Sequence, residues 1–226
     1  MKTRRWLVVF LVFFSIGLAG AAPERSDKLR KAAERGDANA QCNLGIAYYV
    51  GAGSVAKDTN EAVKWFRKAA EQGHTEAQFN LGIAYWSGEG VRKDQVEAVN
   101  WYRKAAEQGL AKAQYNLGCS YGVGAGVIKD PVAAVNWYLR AAEQGVANAQ
   151  YSLGIAYWLG EGAPKDAVEA LAWLNLASAS GCEPARGWRD SLEKELNKNQ
   201  SAEATQRARE LLAFIQKAAR AKDATP

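Results

Sequence analysis

The amino-acid sequence predicts an all-α fold, an α/α solenoid of helix-turn-helix repeats. Two observations lead to this prediction. A segment of about 36 residues recurs four times, and each copy contains two stretches with helical spacing of apolar residues. A period of that length is typical of repeat proteins whose units bury their apolar faces against neighbouring units. The leucine of a Leu-Gly pair marks the same place in each copy, at Leu44, Leu81, Leu117 and Leu153.

The first 21 residues have the pattern of a secretory signal peptide. Lys2, Arg4 and Arg5 precede an uninterrupted apolar stretch, and the small residues 19–21 follow it, which predicts cleavage after Ala21. A transmembrane anchor is the alternative, but the apolar stretch is shorter than the roughly 20 residues that a spanning helix needs. We therefore expect a bacterial protein that is periplasmic or secreted, with no membrane anchor after cleavage.

The charge argues against a nucleic-acid partner, and the spacing of the cysteines argues against disulfide bonds. The formal net charge is +5, and cleavage would remove three of the 29 basic residues and no acid, leaving +2. No Lys/Arg run is long enough to follow a nucleic-acid backbone, so we expect no nucleic-acid partner. Cys42, Cys119 and Cys182 lie one and a half repeats or more apart, too far for a disulfide in a stack of repeats. We expect three free thiols.

The second repeat shows how one unit is encoded. Residues 76–86 have helical spacing, and Gly82 lies on the apolar side, where the missing side chain allows a neighbouring helix to approach. Residues 87–90 end this helix, since glycine tolerates the left-handed cap conformation. Asp94 then starts a second helix, and Glu97 follows at the spacing of a capping box, in which the aspartate accepts from free amides and the glutamate reaches back. In the third repeat Pro131 occupies the first helical position, which tolerates a missing N–H.

These patterns divide the chain into consecutive segments. A capping helix is predicted in residues 22–36, and two further capping helices are predicted in residues 182–226. The four repeats between them are predicted at residues 37–73, 74–109, 110–145 and 146–181.

The repeats resemble the Sel-one-like repeat, a relative of the tetratricopeptide repeat. The resemblance is carried by Ala-Gln-x-x-Leu-Gly-x-x-Tyr at 77–85, by Lys93-Asp94, and by Glu97-Ala98-x-x-Trp101-Tyr102 with the residues that follow to Gly109. It implies a right-handed superhelix whose concave side is lined by the first helix of each pair. Exported relatives act in signalling control, in surface-structure assembly and in contact with host proteins, so the resemblance also implies a protein partner.

The first helices carry apolar residues on a second face, opposite the Leu-Gly face. One interpretation is that adjacent first helices cover this face, because a helix that is apolar all round is usually covered twice. The other is an aromatic groove with an asparagine edge that binds a protein or peptide segment. Gly122 and Ala133 indicate that the third repeat is the least bulky place along this groove. The predicted partner-binding residues are Tyr49, Phe79, Asn80, Trp86, Tyr115, Asn116, Tyr151 and Trp158.

No catalytic, cofactor or metal site is predicted. The single histidine, His74, has no second histidine or nearby cysteine to complete a metal site. Two Ser-x-x-Lys strings begin at Ser54 and Ser191, but the Ser-Asp-Asn and Lys-Thr-Gly elements of serine β-lactamases do not occur. Carboxylate pairs such as Asp94 and Glu97 already have a capping role.

We therefore expect a non-catalytic adaptor or regulator without a cofactor. The alternatives are a β-lactamase-like or peptidoglycan-binding protein and a purely structural spacer. The sequence predicts neither the identity of the partner nor the oligomeric state.

Overall fold

The computed structural model describes residues 23–52 and 55–223, so the predicted signal peptide lies outside the described residues. The described chain forms eleven α-helices, and each repeat contributes two of them, from α2 and α3 to α8 and α9. The predicted all-α solenoid, a right-handed superhelix, is confirmed. No helix of this part of the chain is long and apolar enough to span a membrane. The helices are α1 (Pro23–Glu34), α2 (Ala38–Val50), α3 (Thr59–Glu71), α4 (Thr75–Ser87), α5 (Gln95–Glu107), α6 (Ala111–Val123), α7 (Pro131–Ala142), α8 (Ala147–Leu159), α9 (Ala167–Ala179), α10 (Glu183–Glu195) and α11 (Lys198–Asp223).

The two helices of a repeat approach closely at the glycine of the Leu-Gly pair. A Cβ atom placed on Gly82 would lie 2.6 Å from the Tyr102 ring and 3.2 Å from the Ala98 carbonyl oxygen. Any side chain here would therefore force α4 away from α5. The predicted role of Gly82 in close helix approach is confirmed.

Aspartate side chains start the second helices, as the sequence predicts. The Asp94 carboxylate accepts from the backbone N–H of Val96 at 3.0 Å and of Glu97 at 3.1 Å. The second hydrogen bond of the predicted capping box, from the Asp94 N–H to the Glu97 carboxylate, does not form, so this part of the prediction is wrong. The Asp94 N–H instead donates to the Tyr85 carbonyl at 2.9 Å, so the Glu97 carboxylate has no cap donor left to accept from.

A ladder of glutamines joins consecutive repeats. Gln78 is buried in α4, and its Nε2 donates to the Ala70 carbonyl oxygen of the preceding repeat at 3.2 Å. Its Oε1 accepts from Nε2 of Gln108, at the end of α5, at 2.7 Å. The buried Gln78 amide is thereby satisfied at both of its polar atoms, and its bond to Ala70 fixes the register between the two repeats.

The terminal helices close the ends of the stack in different ways. Arg30 of α1 donates to the Tyr48 hydroxyl at 3.1 Å, as Arg67 of α3 does to Tyr85 at 2.6 Å, so α1 takes the place of a preceding second helix. The C-terminal helix α11 instead folds back along α9. Arg207 of α11 binds the Glu169 carboxylate there at 2.8 Å.

The sequence of α9 differs from that of the other second helices where α11 covers it. In the first three repeats a cation stacks on the tryptophan of the second helix, as the Lys104 Nζ does 3.8 Å from the Trp101 ring centroid. In α9 the cation position is Leu176, which is buried together with Trp173 beneath α11. An apolar residue replaces the cation because this surface does not face water.

Candidate protein-binding face

Equivalent residues near the C-terminal ends of the first helices form a stripe that we call the first-helix stripe. Each lies two residues before the glycine that ends its helix, and these glycines adopt the left-handed conformation. The stripe consists of Tyr49 in α2, Trp86 in α4, Gly122 in α6 and Trp158 in α8.

The two tryptophans of the stripe are half-buried. Trp86 packs on Tyr102 of the same repeat, with ring centroids 6.3 Å apart and ring planes inclined by 41°. Trp158 carries the Lys165 ammonium 4.7 Å from its ring centroid, a distance at which a cation is attracted by the ring. Each ring therefore packs on its own repeat while keeping part of its surface exposed.

Tyr49 joins two repeats through a hydrogen bond. Its hydroxyl donates to the Glu89 carboxylate, in the loop of the second repeat, at 2.6 Å. Burial, and then this hydrogen bond and the Glu89 charge, raise the pKa of Tyr49 to about 12. The loop carboxylate of one repeat is thus an acceptor for the stripe residue of the repeat before it.

Phe79 does not lie on an open surface, which corrects the prediction for this residue. Its side chain is 5% exposed, and its ring centroid lies 5.9 Å from that of Tyr102. It belongs to a buried cluster that also contains Ala113 and Leu117 of the next repeat. The neighbouring first helix covers this position, so the interpretation of the second face as inter-repeat core holds for Phe79.

The remaining predicted aromatic residues are half-buried. The ring centroid of Tyr115 lies 5.9 Å from that of Tyr138, and burial is the main cause that raises the pKa of Tyr115. Tyr151 lies beside Trp188 of α10, and burial also raises its pKa. Both rings pack against buried clusters and keep part of their surface in contact with solvent.

The two predicted asparagines are half-buried and differ in their surroundings. The Asn116 side chain forms a hydrogen bond with the Tyr102 hydroxyl. Burial of the ring raises the pKa of Tyr102 above its ordinary value, and this hydrogen bond lowers it by a smaller amount. The residue in the place of Tyr102 one repeat earlier is Phe66, which has no hydroxyl. Among the described residues the Asn80 amide makes no hydrogen bond, so it retains its donors and its acceptor.

The sequence interpretation missed a row of exposed apolar residues beside the stripe. Val50, Val123 and Leu159 are 52%, 71% and 51% exposed at the last position of α2, α6 and α8. Each lies four residues after another apolar residue of the same helix, as Val50 follows Ile46. The helical period was therefore the signal, and it extends the apolar surface by one turn.

A groove opens at the third repeat, where Gly122 leaves the stripe without a side chain. Its volume is about 250 Å³. Tyr138 is half-buried here, whereas Tyr102, the equivalent residue beneath Trp86, is 3% exposed. Ala133, the other small residue singled out from the sequence, does not line the groove.

A larger open groove of about 480 Å³ lies between the ends of α7 and α11, with Arg140, Glu143 and Phe214 in its walls.

His74 and Ser191, which were considered for catalysis, form hydrogen bonds that cap or stabilise helices. His74 caps α4, since its Nδ1 accepts from the Ala77 N–H at 3.2 Å and its Nε2 lies 3.1 Å from the Asn39 side chain. The Ser191 hydroxyl donates to the Gly187 carbonyl within α10 at 2.9 Å, and Ser54 lies outside the described residues. The three cysteines are free thiols. Within residues 23–52 and 55–223, no group of histidine, cysteine, aspartate and glutamate side chains has the arrangement of a metal site.

The repeats match a known protein family and are similar to solved structures. The model of the Sel1 repeat matches residues 38–74, 75–110, 111–146 and 147–182. The fold is similar to that of a protective antigen of uropathogenic Escherichia coli strains that displays an SLR fold, with 37% identity and a TM-score of 0.80 over 93% of this chain. The match covers 46% of that antigen, so this chain spans about half of its length. A Sel1 repeat protein from Oxalobacter formigenes is 38% identical, with a TM-score of 0.69 over 85% of this chain and 76% of that one. No curated protein matches the sequence.

Proposed function

The chain belongs to the Sel1 repeat family, and from this membership we propose that it is an exported, non-catalytic adaptor or regulator that binds a segment of another protein. Sel1 repeat proteins are generally helical scaffolds for protein interaction and generally not enzymes. Their repeats present a long continuous surface, which suits an extended or helical segment of a partner. The binding surface in this proposal is a concave groove along the first helices.

The observation that carries the proposal is the apolar first-helix stripe together with the exposed row beside it. Exposed Val50, Val123 and Leu159 lie in the first, third and fourth repeats, at the helix ends that also carry the stripe with the half-buried Trp86 and Trp158. Contiguous apolar surface on a soluble protein marks interaction sites, and tryptophan and tyrosine are the residues that most often dominate binding energy. The proposed contacts are Tyr49, Asn80, Trp86, Tyr115, Asn116, Tyr151 and Trp158.

The absence of a hydrogen-bond partner for Asn80 among the described residues suits a polar contact at the edge of the groove. A partner segment in extended conformation offers backbone donors and acceptors along its length. The Asn80 amide supplies both a donor and an acceptor to such a backbone. Asn80→Ala should therefore weaken binding of the partner without a large change in folding stability.

Export is the second part of the proposal. It is supported by the basic, apolar and small-residue succession at residues 1–21. Fractionation of the source bacterium, followed by N-terminal sequencing, tests it. A periplasmic or secreted protein that starts at Ala22 is the expected result, and full-length protein in the cytosol contradicts it.

Crosslinked pull-down with the mature protein tests partner binding. Trp158→Ala should weaken the affinity for the partner by a factor of about 30 or more and so lower its retention, since loss of a hot-spot aromatic residue typically costs about 2 kcal/mol of binding. The melting transition should change little. Phe79→Ala is the matched control, because truncation of this buried ring should lower folding stability by about 3–5 kcal/mol.

Two outcomes contradict the proposal. Retention that is unchanged in a folded Trp158→Ala variant removes the stripe from the binding surface. If no partner is retained by the wild-type protein under any crosslinking condition, the protein is a structural spacer instead.

A further inference from the structure

The third repeat lacks the side chain that the other three repeats place in the first-helix stripe. Gly122 occupies the position of Tyr49, Trp86 and Trp158. The surroundings that receive an aromatic ring in the other repeats are nevertheless present there. We call this place the repeat-three slot, and it is lined by Gly122, Tyr138, Tyr151, Ser152, Ile155 and Glu161.

The floor of the slot is the half-buried ring of Tyr138. In the second repeat, Trp86 packs on Tyr102 with ring centroids 6.3 Å apart. Tyr138 is the equivalent ring in the third repeat, and its hydroxyl lies 3.2 Å from a Cβ atom placed on Gly122. Nothing in the stripe covers this ring, so a ring supplied from outside would find the same packing surface.

Glu161 contributes a carboxylate to the wall of the slot. Glu161 occupies in the fourth repeat the place of Glu89 in the second, which accepts from the Tyr49 hydroxyl at 2.6 Å. The repeat before Glu161 offers Gly122 instead of a tyrosine. Among the described residues the Glu161 carboxylate makes neither a hydrogen bond nor an ion pair.

The third repeat also has the lysine whose equivalents face a stripe ring in the first and fourth repeats. Lys57 and Lys165 place their ammonium groups 5.9 Å and 4.7 Å from the ring centroids of Tyr49 and Trp158. Lys129 holds the equivalent position in the third repeat, where the stripe has no ring. An aromatic ring in the slot would lie within reach of this cation.

We propose that the repeat-three slot binds a tyrosine side chain of the partner protein, which packs on Tyr138 and donates its hydroxyl to Glu161. This inference rests on the proposed function and adds a specific residue to it. A tyrosine complements both the ring and the carboxylate of the slot. A phenylalanine would leave the carboxylate unpaired, and the Tyr49–Glu89 pair shows that a tyrosine satisfies such a carboxylate within this fold.

The affinity of the slot for two small probes tests the proposal by NMR on the ¹⁵N-labelled mature protein. The probes are p-cresol, the side-chain analogue of tyrosine, and toluene, the analogue of phenylalanine. Titration with p-cresol should shift the backbone amide signals of Gly122, Ile155 and Glu161 in a saturable manner. Glu161→Gln should lower the ratio of p-cresol affinity to toluene affinity by roughly tenfold, the low end of what a hydrogen bond to a charged group contributes.

Two variants at Gly122 serve as controls. Gly122→Trp recreates the arrangement of the second repeat and should abolish the shifts caused by both probes. Gly122→Ala leaves most of the slot open and should retain them, which separates filling of the slot from a general effect of substitution. An affinity ratio unchanged by Glu161→Gln, or shifts that persist in a folded Gly122→Trp variant, overturns the proposal.

Failure of this inference differs from failure of the proposed function. If crosslinked partners are retained but p-cresol does not bind at Gly122, the slot is wrong and the adaptor function stands. If p-cresol binds but no partner is retained, the slot exists and the adaptor function is wrong. Retained partners whose binding is unaffected by Gly122→Trp also contradict the slot.

Discussion

The side-chain Nε2 of Gln108, near the end of the second repeat, donates to Oε1 of Gln78, near the start of the same repeat, at 2.7 Å. The same bond joins Gln72 to Gln41 at 2.6 Å and Gln144 to Gln114 at 2.8 Å. The ladder stops at the fourth repeat. Ser180 stands where the next donor would be, and the buried Oε1 of Gln150 has no hydrogen-bond partner among the described residues. Repeat four therefore carries an unsatisfied acceptor that the other repeats avoid.

Completing or breaking this ladder should change stability in opposite directions. Ser180→Gln should raise the free energy of unfolding by about 0.5–1.5 kcal/mol, the usual net contribution of a hydrogen bond. Gln108→Ser should lower it by about 1–3 kcal/mol, because the buried Oε1 of Gln78 loses its donor. Urea unfolding followed by circular dichroism measures both. No change in either variant would show that the ladder sets register without contributing to stability.

Gly82→Ala should destabilise the protein by about 1–3 kcal/mol, the usual cost of overpacking. The added methyl group would lie 2.6 Å from the Tyr102 ring and would force α4 and α5 apart. Gly187→Ala is the matched control, since a Cβ atom there has no neighbour within 4 Å. It should stabilise α10 by roughly 0.5–1 kcal/mol through helix propensity alone. Thermal unfolding of the pair checks the prediction, which fails if both variants are equally stable.

Leu176→Lys should lower the free energy of unfolding by at least about 2 kcal/mol, as for other losses of buried leucine. Leu176 lies beneath α11 and is buried, so a lysine there must displace that helix or remain charged in the core. The reverse change, Lys104→Leu, occurs at an exposed equivalent position and should change stability by less than about 0.5 kcal/mol. Chemical denaturation of both variants is the measurement. Equal effects would mean that α11 does not cover α9 in solution.

The folding stability should fall at alkaline pH. Burial, and to a smaller extent the Glu76 charge, raise the pKa of the Cys42 thiol from 9.0 to about 12. Between these values the unfolded chain loses the thiol proton while the folded protein keeps it, so the stabilisation is complete below pH 9 and decreases as the pH rises toward 12. Urea unfolding of the reduced protein at pH 8, 9 and 10 should show this decrease. Cys42→Ala should show a smaller slope, and an equal slope would contradict the assignment.

The sequence was sufficient for the repeats because their determinants are local. The helix start at Asp94, the helix end at Gly88 and the close approach at Gly82 each depend on residues within one unit or its nearest neighbour. Four copies in register repeat the same local information, so the period, the helices and the solenoid followed directly.

The amphipathic pattern identified the binding face only in part. Phe79 and Trp86 lie on the same face of α4, seven residues and about two turns apart. The neighbouring repeat covers Phe79 and leaves Trp86 half-exposed. The helical period gives the direction in which a side chain points, but the depth of cover depends on how the next unit is inclined. That inclination is a property of the stack and not of the helix.

The sequence by itself thus determined the all-α class, the register of the four repeats, the aspartates that start the second helices and the glycines that end the first helices. The tertiary structure alone decided which rings are core, that α11 folds back over Trp173, and that Glu161 faces the space left by Gly122. The physical reason is the range of the interactions. Caps and close helix contacts act between residues near in sequence, whereas cover and complementarity arise between surfaces that only the assembled stack brings together.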